Sequence, residues 1–160
     1  MSDSVGESKV FFDTCVLIDS ATPGRKGNER TRDLQHLSNA GHSLVTSITV
    51  IGEMVHTSFK KDNFDLHQGI DILKKLEFGV IFPLQGLREW CSIVDQEMDE
   101  TGRYGSSITD RTHFAYALTS RCDFYVTSKG ETRTLKAPKE KGGLTKVVTM
   151  NELLTNLELN

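Results

Sequence analysis

Short apolar runs alternate with longer segments of helical periodicity along this chain of 160 residues. Runs of three or four apolar and β-branched residues between turn signals are typical of buried strands. Such runs occur at residues 10–12, 43–46, 80–82, 124–127 and 147–149. Strands that alternate with helices form parallel sheets with helices on both faces. The pattern therefore predicts an α/β fold with a central parallel sheet of about four to five strands.

The segments between those runs have apolar residues at spacings of three and four, the periodicity of amphipathic helices. Leu66, Ile70 and Leu73 follow this spacing in one of them. Helices are therefore predicted from residue 16, over residues 29–40, 47–60, 64–78, 84–98 and 107–120, and from residue 151 onwards.

Turn and cap residues predict where several of these helices begin and end. Residues 24–28, which follow a proline, are expected to form a basic loop. Either Thr46 or Ser47 can cap the helix after the second strand, and Asn151 can cap the last helix. Gly79 is expected to end the helix that precedes it.

The helix after the second strand has one apolar stripe that is predicted to face the core. Ile48, Ile51 and Val55 share this stripe at spacings of three and four. Val50 and Met54 are expected to lie beside it.

Composition places the chain among globular proteins, because 37% of its residues are hydrophobic and 26% are charged. Its length suits one domain, expected over residues 9–158 after a polar tail of residues 1–8. No stretch approaches the roughly 20 apolar residues of a membrane span. Three widely spaced cysteines, Cys15, Cys91 and Cys122, offer no zinc-ligand pair and suit buried thiols in a reducing cytoplasm.

The net charge of −3 does not by itself indicate a protein that binds nucleic acid. Residues 129–146, however, carry six lysine or arginine residues against two glutamates. Such a run is usually a solvated loop, and the alternative is a patch that contacts a phosphate backbone.

Three acids occupy positions that can converge at one edge of the predicted sheet. Asp13 ends the first strand, Glu53 lies in the helix after the second, and Asp110 lies near the start of the helix at residues 107–120. Ligands of open α/β sheets bind at the carboxyl ends of the strands. Clustered carboxylates repel one another unless a cation joins them, and oxygen ligands of this kind suit Mg²⁺ or Mn²⁺.

These acids belong to motifs that follow one another in a defined order. The motifs are Asp13-Thr14-Cys15-Val16-Leu17-Ile18, then Glu53, then Asp110 with Ala115 and Ala117, then Val126-Thr127 preceded by Asp123, and a last Val147-Val148-Thr149 strand. This order resembles the PIN domain family of metal-dependent ribonucleases, which includes the VapC toxins of toxin–antitoxin pairs. The resemblance covers residues 10–157 and rests on the order of the motifs, since each alone is unspecific.

The resemblance implies a PIN-like three-layer α/β/α fold and a ribonuclease that hydrolyses RNA phosphodiesters with Mg²⁺ or Mn²⁺. Asp13, Glu53 and Asp110 would then be both the catalytic residues and the metal ligands. Thr14 would hold a carboxylate or a substrate phosphate, and the other residues at the substrate would be Arg111, Thr127, Ser128 and Lys129. The expected partners are RNA, an antitoxin protein and, in a homodimer, a second copy of the chain. No association with a membrane is expected.

Lys129 departs from the family pattern, which usually has a further acid at this position. Glu131 can replace that acid if the loop is shifted. Alternatively, the site holds one metal ion with Lys129 near the scissile phosphate. In the third reading the site is weakened, and the chain is a module that binds RNA or protein with little or no catalysis. A haloacid-dehalogenase phosphatase would need a second aspartate where Cys15 stands.

Other polar residues have weaker assignments. His113 and His56 are expected at the surface, because a metal-based mechanism needs no histidine base. Arg111 either touches phosphate or is solvated. Arg103 and Tyr104 can stack on RNA from the loop before Asp110.

Overall fold

The computed structural model describes residues 6–100 and 107–159. The expectation for Arg103 and Tyr104, and that for residues 1–5 of the tail, lie outside the described residues. The strands within the described part are β1 Lys9–Phe12, β2 Ser43–Ser47, β3 Gly79–Ile81, β4 Phe124–Val126 and β5 Lys146–Val148. The helices there are α1 Thr14–Ser20, α2 Arg25–Asn39, α3 Ile48–Ser58, α4 Leu66–Lys75, α5 Leu87–Glu100, α6 Ile108–Thr119, α7 Lys129–Thr134 and α8 Met150–Asn156.

All strand pairs are parallel, and the order across the sheet is β3-β2-β1-β4-β5. Val10 of β1 pairs with Leu44 of β2 on one side and with Phe124 of β4 on the other. Strands β2 and β3 therefore lie on one side of β1, and β4 and β5 lie on the other. Ligands of α/β sheets bind at such a switch point, where the order of the strands reverses. Helices flank the sheet, which confirms the predicted three-layer α/β/α fold.

The central strand is buried on both faces of the sheet. Val10, Phe11 and Phe12 have no solvent-exposed surface. Phe11 stacks on Tyr125 at 5.4 Å between ring centroids, whereas Phe12 meets Phe78 at 5.5 Å. Because successive residues of a strand point to opposite faces, both helical layers pack against β1. Burial of each phenylalanine contributes about 1.5–3 kcal/mol.

The predicted basic loop at residues 24–28 is wrong, because α2 already begins at Arg25. Gly24 precedes it with a φ of 121°, a conformation that glycine adopts without strain. Gly27 then lies against the preceding turn, where a Cβ atom would be 1.9 Å from the carbonyl oxygen of Thr22. The two glycines therefore let the helix start directly after the proline turn.

The N-caps are set by the backbone at the strand ends. Ser47 caps α3 and accepts from the amide of Val50, while the hydroxyl of Thr46 donates to the carbonyl of Phe12. Thr149, and not Asn151, caps α8 in a reciprocal pair with Glu152. Ser47 is the last residue of β2 and Thr149 directly follows β5, and both have the extended conformation that a cap needs.

Two predicted helix boundaries shift by several residues. The helix before β3 ends at Lys75, and Glu77 adopts a φ of 53° in the turn that follows. Gly79 therefore does not end the helix but begins β3. The next helix, α5, begins at Leu87, and Leu84 lies exposed before it.

The inward face of α3 differs from the predicted one. Val50 and Met54 are fully buried, whereas Ile48 and Val55 are 36% and 38% exposed. Packing against α1 and α4 therefore rotates the helix toward its second apolar stripe. The same rotation sets the direction of the Glu53 side chain, because Glu53 lies on this helix.

Part of the basic run is ordered. Ser128 caps the short helix α7, and residues Lys139–Lys141 form a 3-10 turn. The segment is therefore not a loop throughout its length. None of the helices within residues 6–100 and 107–159 is long and apolar enough to cross a membrane.

Candidate metal centre

A cleft of about 360 Å³ opens at the carboxyl end of the central strand. Its lining includes all three predicted metal ligands, Asp13, Glu53 and Asp110. A larger groove of about 1030 Å³ lies beyond α7 along β5, and part of it is lined by Lys136, Lys139, Lys141 and Lys146. The smaller cleft is the chemically relevant one, because the carboxylates of Asp13, Glu53 and Asp110 line it together.

Asp13 is almost completely buried and is held by three donors. The carboxylate caps α1, and Oδ1 accepts from the amide of Thr14 at 2.8 Å. Nδ1 of His113 lies 2.9 Å from the same oxygen, and the hydroxyl of Thr127 donates to Oδ2 over 2.8 Å. These contacts replace the water that the carboxylate loses on burial. Of its roughly four lone-pair sites, one remains for a further ligand.

Glu53 reaches the cleft from α3 and is partly exposed. Its Oε2 accepts a hydrogen bond of 2.7 Å from the hydroxyl of Thr14. The same oxygen lies 3.6 Å from Nε2 of His113. Thr14 thus holds a carboxylate, one of the two roles that were open for it.

Asp110 stands in the first turn of α6. One of its oxygens accepts from the amide and the hydroxyl of Ser107, which fixes the side chain at the helix start. One potential ligand atom from each of Asp13, Asp110 and His113 lies within 4.8 Å of the other two. Glu53 is not one of these three residues. Its Oε2 accepts from Thr14 and lies near Nε2 of His113, which places Glu53 beside them.

His113 is fully buried, and the expectation of a surface histidine is wrong. The ring lies between Asp13 and Glu53, one helical turn after Asp110. The spacing of three was the available signal, since residues three apart on a helix share a face. A second signal was the otherwise apolar and aromatic surroundings of this histidine in the buried half of α6.

The loop after β4 presents Glu131, rather than Lys129, to the cleft. Within the described part of the chain, Thr127, Ser128 and Glu131 line the cleft, whereas Lys129 is exposed and does not. Ser128 caps α7 and accepts from the amide of Glu131. The helix begun by this cap rotates the side chain of residue 129 away from that of residue 131.

Arg111 points away from the cleft. Its guanidinium lies 3.4 Å from Asp95 and 3.9 Å from Asp99, both on α5. Among the described residues, the cation that lines the cleft is instead Lys61, which sequence reasoning missed. Lys61 lies beyond the end of α3, so no helical spacing links it to Glu53.

Two groups beside the acids, the half-buried thiol of Cys15 and the buried hydroxyl of Tyr125, stay protonated at ordinary pH. Burial, and then the charge of Asp13, raise the pKa of the Cys15 thiol to about 12. Burial and the charges of Asp13 and Asp110 likewise raise the pKa of Tyr125 well above its usual range. Cys15, which lines the cleft, is therefore a neutral part of its wall and not a nucleophile.

The residues present fit a divalent cation. Three carboxylates supply the oxygen donors that Mg²⁺ and Mn²⁺ prefer. Nε2 of His113, fully buried, has no hydrogen-bond partner among the described residues. A buried polar atom that faces acids and lacks a partner is satisfied when a cation binds beside it.

The parallel sheet with helices on both faces forms a PIN-like α/β/α fold, and comparison with solved structures confirms the resemblance of the fold. A chain of VapBC2 from Rickettsia felis, solved bound to a DNA fragment from its promoter, matches with a TM-score of 0.63 and 12% identity. The match covers 87% of this chain and 98% of that one.

VapBC-1 from nontypeable Haemophilus influenzae is similar at a TM-score of 0.61 and 14% identity. That match covers 89% of this chain and 98% of the other. No family model and no curated protein matches the sequence. At these identities the likeness establishes the fold.

Proposed function

We propose that this protein is a divalent-metal-dependent endoribonuclease that acts as the toxin of a toxin–antitoxin pair. The observation that carries the proposal is the convergence of Asp13, Asp110 and His113 within 4.8 Å at the carboxyl end of the central strand. The similarity of the fold to chains of VapBC structures supports the role of toxin.

Asp13, Glu53 and Asp110 would hold the ion. When bound, the ion supplies a Lewis acid that activates water and stabilises charge on the phosphate. The protein fixes the ligands beforehand: Thr127 holds Asp13, and Thr14 holds Glu53. This support keeps the carboxylates in place without reorganisation when the substrate arrives.

We assign the further acid of the site to Glu131, because it lines the cleft and Lys129 does not. Lys61 and Ser128, which line the cleft, would contact the phosphate backbone of RNA. Lys129, exposed next to Ser128, would contact RNA outside the cleft. Arg111 has no role at the phosphate in this assignment, since α5 acids hold it.

An antitoxin protein would be the partner of this toxin, and RNA in the cytoplasm would be its substrate. A homodimer and a domain extending over residues 9–158 remain our predictions. The second candidate function is a PIN-like module that binds RNA with little catalysis. The position of Lys61 favours it, because an ammonium at the cleft competes electrostatically with a second metal ion.

Incubation of the purified protein with structured and unstructured RNAs tests the proposal. Cleavage is expected with Mn²⁺, and loss of cleavage with EDTA or with Asp13→Asn. Asp71→Asn removes an exposed acid of α4 and is the matched control, expected to cleave normally. Cleavage that persists in EDTA and in Asp13→Asn would contradict the metal mechanism. Retention of RNA without cleavage would favour the binding module.

A further inference from the structure

The imidazole of His113 is enclosed on all sides and faces two carboxylates. Nδ1 lies 2.9 Å from Oδ1 of Asp13, and Nε2 lies 3.6 Å from Oε2 of Glu53. An ionised carboxylate can only accept hydrogen bonds. The proton of a neutral ring therefore resides on Nδ1, where it donates to Asp13.

This tautomer leaves a lone pair on Nε2, directed toward Glu53. Oε2 of Glu53 is itself an acceptor, already occupied on one side by the hydroxyl of Thr14. Nε2 has no hydrogen-bond partner among the described residues. Two acceptors that face each other in a buried space are compatible when a cation lies between them.

The distance between the two atoms is close to that of two ligands of one ion. Ligand atoms about 2.1 Å from one metal ion, at angles between octahedral and tetrahedral, are roughly 3.0–3.4 Å apart. The separation between Nε2 and Oε2 is 3.6 Å, slightly longer than this range. A hydrogen bond from the other ring nitrogen to a carboxylate is also the usual support of a metal-bound histidine.

We propose that Nε2 of His113 is a nitrogen ligand of the metal centre, beside Oε2 of Glu53. The inference rests on the metal-dependent function proposed above and specifies its cofactor. Imidazole suits Mn²⁺ and other transition metals, whereas Mg²⁺ prefers oxygen ligands alone. The centre is therefore selective for Mn²⁺ over Mg²⁺.

Electron spin echo spectroscopy of the full chain loaded with Mn²⁺ tests this ligand directly. A coordinated imidazole is expected to give ¹⁴N modulation in the wild-type spectrum. His113→Asn keeps an amide donor near the position of Nδ1 but has no atom at Nε2. His56→Asn removes an exposed histidine of α3 and is the matched control.

Loss of the modulation is expected in His113→Asn alone. Its Kd for Mn²⁺ should rise about 10–100-fold, as for other disrupted metal sites, while its Kd for Mg²⁺ changes less than about 3-fold. Circular dichroism establishes that the variant is folded. If His113→Asn is unfolded, the presence or absence of ¹⁴N modulation in the wild-type spectrum still tests the inference.

Bound Mn²⁺ without ¹⁴N modulation in the wild type would overturn the inference and leave the nuclease proposal intact. Equal Mn²⁺ affinity in wild type and folded His113→Asn would do the same, since the ring would then be only a structural support. Absence of Mn²⁺ binding would also overturn it, whatever RNA cleavage shows. If ¹⁴N modulation is seen but RNA is not cleaved, the proposed nuclease function is refuted, whereas His113 remains a metal ligand.

Discussion

Replacement of Thr127 by valine should destabilise the metal-free protein through the carboxylate of Asp13. The hydroxyl of Thr127 donates to Oδ2 over 2.8 Å, and both residues are buried. Valine keeps the shape of the side chain but removes this donor. Asp13 then retains the Thr14 amide and His113 as partners. A hydrogen bond to a charged group contributes about 1.5–3 kcal/mol, and we expect a loss of that size.

A matched variant separates this effect from the general cost of a lost hydroxyl. Thr46 is also buried at a strand end, and its hydroxyl donates to the neutral carbonyl of Phe12 over 3.0 Å. Thr46→Val should therefore lower the free energy of unfolding by only about 0.5–1.5 kcal/mol.

Urea unfolding followed by far-ultraviolet circular dichroism in EDTA measures both losses. At about 2–4 °C per kcal/mol, Thr127→Val should also lower the melting temperature by roughly 3–12 °C. The reasoning fails if Thr127→Val is no more destabilised than Thr46→Val. In that case the hydrogen bond to Asp13 is no stronger than one to a neutral carbonyl, or water replaces the hydroxyl.

Three further predictions follow from the site. Glu131→Gln should slow RNA cleavage about 10–100-fold, whereas Lys129→Gln should slow it less than about 3-fold. Single-turnover assays measure both rates, and a larger loss in Lys129→Gln than in Glu131→Gln would reject the assignment of Glu131. Mn²⁺ at about 100 times its Kd should add about 2.7 kcal/mol to the free energy of unfolding, and Asp13→Asn should abolish the shift in thermal melts. The folded pKa of Cys15, about 12, lies above the usual value of 9.0, so its contribution to stability is present below pH 9 and is lost between pH 9 and 12. Urea titrations across that range should show a shallower decline for Cys15→Ala than for the wild type.

Local patterns were sufficient to predict the layers of the fold. The apolar runs became the strands of a parallel sheet, because a run of that length is buried only when helices cover both of its faces. Asp13 and Asp110 could be placed for a similar reason. Asp13 follows the central strand directly, and Asp110 lies in the first turn of a helix whose start was predicted to within a residue.

The face that each helix turns inward was less predictable. The stripe of Ile48 and Val55 and the stripe of Val50 and Met54 both satisfy helical spacing, and packing against neighbouring helices selected the second. The same kind of choice moved Arg111 away from the cleft. Its charge is matched by Asp95 and Asp99 on α5, acids that no local pattern links to it.

The sequence by itself determined the parallel sheet, the acid at the end of its central strand and the resemblance to PIN domains. Each of these depends on residues that are neighbours along the chain or on the order of short motifs. Only the tertiary structure decided that His113 lies between the acids and that Glu131 faces the cleft. Asp13 and His113 are 100 residues apart, and such a contact is formed by the packing of α6 against the sheet, which local periodicity does not encode.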